Sequence, residues 1–289
     1  MVGRRELTDA AWERITPLLP GVDGRGRPWR DHRQVINGVL WRLRTGAPWR
    51  DLPERYGPWQ TVYERFARLE ADGTWARLLE QVQVRDDSVG AVEWTVSVDS
   101  TINRAHQHAA GARKKGPVAG DELEDPPRTQ AGQALARSRG GLTTKVHLAC
   151  DGRGLPLAVV VTPGNVNDST VFDAVLNAVR VPRAGVGRPR RRPDAVIADQ
   201  AYSSRAIRQM LRGRGIRAVI PERDDQKANR ARRGQAGGRP PAFDHDLYKA
   251  HNVVERCFNQ LKQFRAIATR FDKLATRYRA GLHLAGLIL

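Results

Sequence analysis

The chain has 289 residues, 40% hydrophobic and 28% charged, a globular balance that excludes a wholly disordered polypeptide. No apolar run reaches the roughly 20 residues that cross a bilayer. The opening MVGRRELTDAAWERI has no apolar signal core, which points to the cytoplasm and to no membrane partner. Lys and Arg number 49 against 31 Asp and Glu, a formal charge of +18. A codon bias toward Arg explains Arg in place of Lys but not that excess, so a polyanion, nucleic acid first, is the expected partner. The two cysteines, Cys150 and Cys257, supply neither a disulfide framework nor metal-site spacing.

Residues 1–85 read as helical. Thr8 caps a helix carrying Ala11, Trp12, Ile15 and Leu18/Leu19, and a basic Gly-rich loop, GVDGRGRPWR, follows. Asp31 opens a helix with Val35, Ile36, Val39, Leu40 and Leu43 at helical spacing, ending near Gly46. PWRDLPERYG reads as a short helix closed by Gly57. Pro58 then starts a helix with Val62, Phe66 and Leu69 on one face. Helix, glycine turn and amphipathic helix give the outline of a helix-turn-helix, in which Gln60, Thr61, Arg65 and Arg68 face away from the apolar stripe toward a groove. A plain helical bundle has the same outline. Trp75, Leu78, Leu79 and Val82 carry a last helix up to the polar patch RDDSVG.

From residue 92 the texture turns to strand. VEWTVSVD, LTTKVHLACD, LPLAVVVTPG, DAVIAD and IRAVIP read as five strands, with helices from Asp168 and from Ser203 among them. Three strands in a row, then strands alternating with helices, make a mixed sheet with flanking helices. The expected organisation is an all-α helix-turn-helix-type domain over 1–88 and an α/β domain over 89–289. Stretches 107–140 and 222–246, rich in Gly, Pro, Ala and charge, read as mobile loops, and VGRPRRRP as a third basic loop. The last segments are a helix with Val254, Phe258, Leu261 and Phe264 as its stripe and a short apolar helix. That helix breaks off at Leu289, as in a truncated or decayed copy.

Asp99 and Asp199 each end an apolar strand. If those strands are parallel neighbours, both carboxylates project into the crevice at the strands' carboxyl ends. Two such carboxylates repel and call for a hard cation, Mg²⁺ or Mn²⁺. Taken singly, each reads first as a turn cap; taken together, on one sheet of a very basic chain, they read as a metal site. Glu255, one step past the apolar stripe of its helix, is the candidate third ligand. Asp168 reads as a helix cap, and Asp151-Gly152 as a hairpin turn. His106 and His108 read as neighbours of a DNA end in preference to a zinc pair. Lys145 and His147 lie on the polar face of their strand, to meet phosphate or solvent.

SVDST around Asp99, IADQAYSS around Asp199 and YKAHNVVERCFNQLKQFRAIATRFDK around Glu255 resemble the catalytic triad segments of DDE transposases. More narrowly, the chain is similar to bacterial insertion-sequence transposases of the insertion-sequence-five family. LTDAAWERITPLLP, GAPWRDLPERYGPWQTVYERF, AHQHAAG, GGLTTKVHLACDGRGLPL and TPGNVND extend the resemblance over nearly the whole chain. It implies an RNase H-like catalytic domain, with Asp99, Asp199 and Glu255 as catalytic residues holding two Mg²⁺ (or Mn²⁺) ions. It also implies double-stranded DNA, both element ends and target, as partner, a homodimer or higher oligomer on that DNA, and a place at the bacterial nucleoid. The family's helix signature Tyr-x2-Arg-x3-Glu-x6-Lys falls on Tyr248, His251, Glu255 and Lys262, with His251 in the Arg position; Arg256 stands beside it as a further DNA contact. Gln200 occupies a position where the family often has Lys. Two other readings share parts of this pattern: a metal-dependent nuclease of the same fold, and a non-catalytic DNA-binding repressor derived from a transposase.

Overall fold

The computed structural model describes residues 6–21, 30–110, 133–138 and 141–289. Residues 22–29 of the loop GVDGRGRPWR and most of 107–140 therefore lie outside the described residues. The helices in chain order are α1 (Asp9–Ile15), α2 (His32–Thr45), α3 (Trp59–Ala71), α4 (Thr74–Ser88), α5 (Gln107–Ala110), α6 (Asp168–Ala178), α7 (Arg205–Gly213), α8 (Asp224–Arg232), α9 (His245–Tyr248), α10 (Asn252–Lys262), α11 (Arg265–Ala268) and α12 (Ala275–Ile288). The strands are β1 (Thr95–Ala105), β2 (Ala136–Ser138), β3 (Gly141–Cys150), β4 (Pro156–Pro163), β5 (Ala195–Ala198), β6 (Arg217–Val219) and β7 (Thr269–Arg270).

Local chemistry sets the helix ends. The Thr8 side chain accepts the Ala11 amide at 3.2 Å, and the Asp31 carboxylate accepts the amides of Arg33 and Gln34. Helix α2 stops at Gly46, whose φ of +70° lies in the left-handed region; a Cβ there would meet Phe271 at 3.2 Å. Its apolar residues Val35, Ile36, Val39, Leu40 and Leu43 are all buried.

Five principal strands run β4-β3-β1-β5-β6. Strands β4, β3 and β1 pair antiparallel, while β1, β5 and β6 pair parallel. This order and polarity are the mixed sheet that the resemblance implies for an RNase H-like domain. The short β2 extends one edge of β3, and β7 lies beside the far end of β1. One sheet face carries Val96, Val98 and Ala149 against Phe172 and Val175 of α6 and Leu211 of α7. The other carries Val146, Leu148 and Cys150 against Val254, Cys257 and Leu261 of α10. That second core continues without a break into α2, α3 and α4 through Leu284, Leu40, Phe66 and Leu78. Bidentate hydrogen bonds of 3.0 and 3.1 Å join the Arg42 guanidinium on α2 to Asp272. Fully buried Arg270 donates to the carbonyls of Gln133, Ala134, Asp272 and Lys273. No described helix is long and apolar enough to cross a membrane.

Several expectations need correction. The segment expected as a short helix at 48–57 is two 3₁₀ turns, Trp49–Asp51 and Glu54–Tyr56, because each turn starts from a proline that holds its backbone extended. The helix expected to end before RDDSVG runs on to Ser88. Stretch 222–246 is not a loop throughout. It contains α8, anchored where the Gln226 amide donates to the Ser203 carbonyl at 2.6 Å and accepts from its hydroxyl at 2.8 Å.

Candidate active site

The parallel ladder of β1 and β5 ends at the pair Val98↔Ala198. The next residue on each strand is an aspartate, so Asp99 and Asp199 leave the sheet side by side, about one strand spacing (~4.8 Å) apart in the backbone. There β5 turns away, with the Asp199 carboxylate accepting the Ala201 amide at 2.9 Å, while β1 continues. The gap that opens is the crevice at a sheet's carboxyl ends. Both aspartates are half-buried. The Asp99 carboxylate accepts the Ser100 amide at 2.7 Å. Burial pushes its pKa up to about 6, and the negative charges of Asp199, Asp168 and Glu255 push the same way.

Helix α10 lies across the face that carries Asp99. Its apolar side is buried, while Glu255 and Arg256 stand exposed. The Lys262 ammonium reaches β1 and donates to Thr101 Oγ1 at 2.6 Å, two residues beyond Asp99 on the same strand face. Tyr248 precedes the helix, half-buried, and its pKa is raised by burial and then by Asp199, Glu255 and Asp99. His251 is 8% exposed; its ring stacks on Tyr248 with centroids 5.6 Å apart, and burial lowers its pKa. His251 thus differs from the exposed phosphate contact expected of it: its ring is packed inside and its charged form is disfavoured.

Asp168 belongs to this site, and its expected role as a helix cap is corrected. Asn167 is the cap, accepting the Ser169 amide at 3.0 Å. The Asp168 carboxylate instead accepts from the Ser100 hydroxyl at 2.7 Å and pairs with the Lys145 ammonium at 2.9 Å. Lys145 also donates to the Val166 carbonyl at 2.7 Å. His147, fully buried, bonds the Thr162 hydroxyl at 2.8 Å, and burial lowers its pKa to about 4. Lys145 and His147 therefore meet neither phosphate nor solvent: α6 covers their strand face. Alternation along β3 already put both on one face, and the pairing of Ser100 with His147 completes the cluster.

Carboxylates are the hard oxygen donors that suit Mg²⁺ or Mn²⁺. Asp99, Asp199 and Glu255, mutually repelling across one crevice, fit such a cation in donor chemistry. Among the described residues no three ligating side chains are already closed around a single point.

On α3, Val62, Phe66 and Leu69 are buried as expected, and Gln60 and Arg68 are exposed, with Thr61 half-buried. Arg65 is a correction: it is 8% exposed, and burial followed by the charge of Arg68 lowers its pKa. At 100° per residue it lies only about 40° from Leu69, on the edge of the buried stripe. At the far end of β1 the rings of His106 and His108 are 4.5 Å apart, and with Trp49, Trp59 and Phe271 they border a pocket of about 440 Å³.

Residues 90–288 match the family described as "Transposase DDE domain", and residues 7–79 match "Putative transposase of IS4/5 family". A Sinorhizobium fredii protein, "Uncharacterized protein y4sN", is 41% identical over 109 residues, 37% of this chain and 83% of that protein. The "Putative transposase for insertion sequence element IS402" of Burkholderia cepacia is 36% identical over 51% of this chain and 62% of its own length. The corresponding IS6501 protein of Brucella ovis is 33% identical over 50% of this chain and 95% of its own. A solved chain in "Crystal structure of the Mos1 Strand Transfer Complex" aligns over 85% of this chain and 82% of its own at 13% identity, with a TM-score of 0.28, a likeness too loose to carry weight.

Proposed function

The chain belongs to the transposase DDE domain family, and from that premise we propose that it binds the terminal inverted repeats of its own insertion sequence and catalyses DNA cleavage and strand transfer there. The observation that carries this reading is the register Val98↔Ala198, which delivers Asp99 and Asp199 as neighbours at the mouth of the sheet. In this reading Asp99, Asp199 and Glu255 hold two Mg²⁺ or Mn²⁺ ions. Such ions supply an activated oxygen nucleophile at neutral pH and charge stabilisation at the leaving oxygen.

The chain's own groups have separate tasks. Lys262, steadied by Thr101, offers a fixed positive charge to a phosphate beside the scissile one. Arg256, exposed next to Glu255, takes the place that His251 leaves empty at the DNA backbone. Tyr248 lines the same side of the crevice. Asp168, through Ser100, holds the backbone that aims Asp99. Gln60, Thr61 and Arg68 on α3 face outward and read the ends, with base contacts specifying and phosphate contacts adding uniform affinity. Residues 1–88 serve end recognition, and residues 89–289 serve catalysis. Two ends must meet, so the working form is a homodimer or higher oligomer on DNA, at the bacterial nucleoid.

A duplex carrying the element's end, incubated with Mg²⁺, tests the reading. Asp99→Asn, Asp199→Asn and Glu255→Gln should each lose cleavage entirely while gel-shift affinity for the end stays equal or rises. Full cleavage by any one variant removes that residue from the triad. Cleavage without strand transfer by the parent chain would favour the nuclease, and end binding without either would favour the repressor.

A further inference from the structure

Beyond Asp199 the chain builds a second basic surface. Helices α7 and α8 and the segment after α8 wall an open groove of about 1050 Å³. Its lining includes Arg205, Arg208 and Arg212 from α7 and Arg230, Arg233 and Arg239 from the opposite wall. The α7 trio sits at i, i+3 and i+7, so the three guanidinium groups share one helix face. Seven residues at 1.5 Å each span about 10 Å, the axial rise of about three phosphates of one DNA strand.

Two of the six are tied down. Arg208 donates to the Ile220 carbonyl at 2.7 Å and the Ser203 hydroxyl at 3.2 Å, and Arg230 pairs with Glu222, the one carboxylate in the lining. Arg205, Arg212, Arg233 and Arg239 form no ion pair with any described carboxylate. The acids of the neighbouring surfaces are engaged outside the groove: Asp173 with Arg214 at 2.6 Å, Asp225 with Arg223 at 3.1 Å, and Asp224 with Lys227 at 3.0 Å. Among the described residues no aromatic side chain enters the lining, which otherwise holds Gln, Asn, Ser, Pro, Gly and Ala. It offers forks for phosphate and no aromatic platform for a base. The first residue of its lining in chain order, Ser204, follows Asp199 by five residues.

We propose that this groove is a second, sequence-independent DNA seat that holds the phosphates of duplex lying outside the element's ends, in the flank or in the target. Its role in transposition rests on the function proposed above; its binding of duplex DNA does not.

The test uses the full chain and the triple variant Arg205→Ala/Arg212→Ala/Arg233→Ala, with a labelled 30-base-pair duplex of random sequence as probe in a salt series. The variant should bind the random duplex at least tenfold more weakly at about 0.1 M salt. The slope of log affinity against log salt should flatten by about two to three. Affinity for a flank-free element end should stay within about twofold, with an unchanged melting midpoint. The Arg→Lys triple should keep most of the parent's slope, since charge survives while the fork is lost. Ends with a ten-base-pair flank and unlinked target duplex, run in parallel, separate the sources: the arm that weakens identifies the occupant. Unchanged affinity and slope for random duplex in a folded triple-alanine variant would overturn the proposal. If the parent neither selects nor cuts its ends but the triple variant still loses random-duplex binding, the groove stands and the transposase reading falls.

Discussion

Asp99 shows how a single carboxylate couples chemistry to stability. Burial raises its pKa from 3.8 to about 6, with the neighbouring acids adding to the shift. In the unfolded chain the proton leaves near the ordinary value. Between about pH 4 and pH 6 the folded state therefore holds the extra proton, and stability falls as pH rises through that window and remains lower above it. The full shift corresponds to at most about 3 kcal/mol. In EDTA, Asp99→Asn should be more stable than the parent by about 1–3 kcal/mol at neutral pH, with the gap closing toward pH 4. Urea unfolding at several pH values measures this; an equal or larger gap at pH 4 would assign the shift elsewhere. Asp99 and Asp199 were legible in the sequence because each closes a short apolar strand, which is a local pattern. Asp168 was not: an acid after Asn167 reads as a cap, and only the pairing of β1 with β3 brings Ser100, Lys145 and His147 around it.

At the scale of elements, α3 and α10 show what periodicity reveals and where it stops. The stripes Val62–Phe66–Leu69 and Val254–Phe258–Leu261 are buried as their spacing requires. Arg65 defeats the simple division into faces because it borders Leu69, and a long side chain can bury its stem there. Arg65→Ala should therefore act mainly on folding, lowering stability by about 1–2 kcal/mol through lost packing. Exposed Arg68→Ala should leave stability within about 0.5 kcal/mol and reduce the salt slope of end binding by about one. Thermal unfolding alongside fluorescence anisotropy separates the two; the opposite pattern would make Arg65 the DNA contact. The order within segment 222–246 is hidden from the sequence for a different reason. Its Gly, Pro and charge content describes a surface segment. The order of α8 comes from Gln226 bonding Ser203, 23 residues away, which composition does not encode.

Across the whole molecule, the helical N-terminal region and the sheet share one continuous core. Leu40, Phe66 and Leu78 pack in the same cluster as Val254, Leu261 and Leu284, and Arg42 closes a buried pair with Asp272 at 3.0 Å. A chain starting at residue 89 would uncover that apolar surface and strand Asp272. It should be aggregated or molten by near-ultraviolet dichroism, whereas a sharp two-state melt would give the sheet region an independent core. The fold class was legible because three strands in a row, followed by strands alternating with helices, spell a mixed sheet with flanking helices; the strand order was not. The shared core was not, because it is made between segments some 200 residues apart. The central claim is that Asp99, with Asp199 and Glu255, binds the divalent cation that cuts DNA. Its most direct test is end cleavage by Asp99→Cys in Mg²⁺ and in Mn²⁺, since a thiolate binds the softer ion far better. The variant should be inactive with Mg²⁺ and regain cleavage with Mn²⁺. Cleavage at the parent rate in Mg²⁺ would contradict the account.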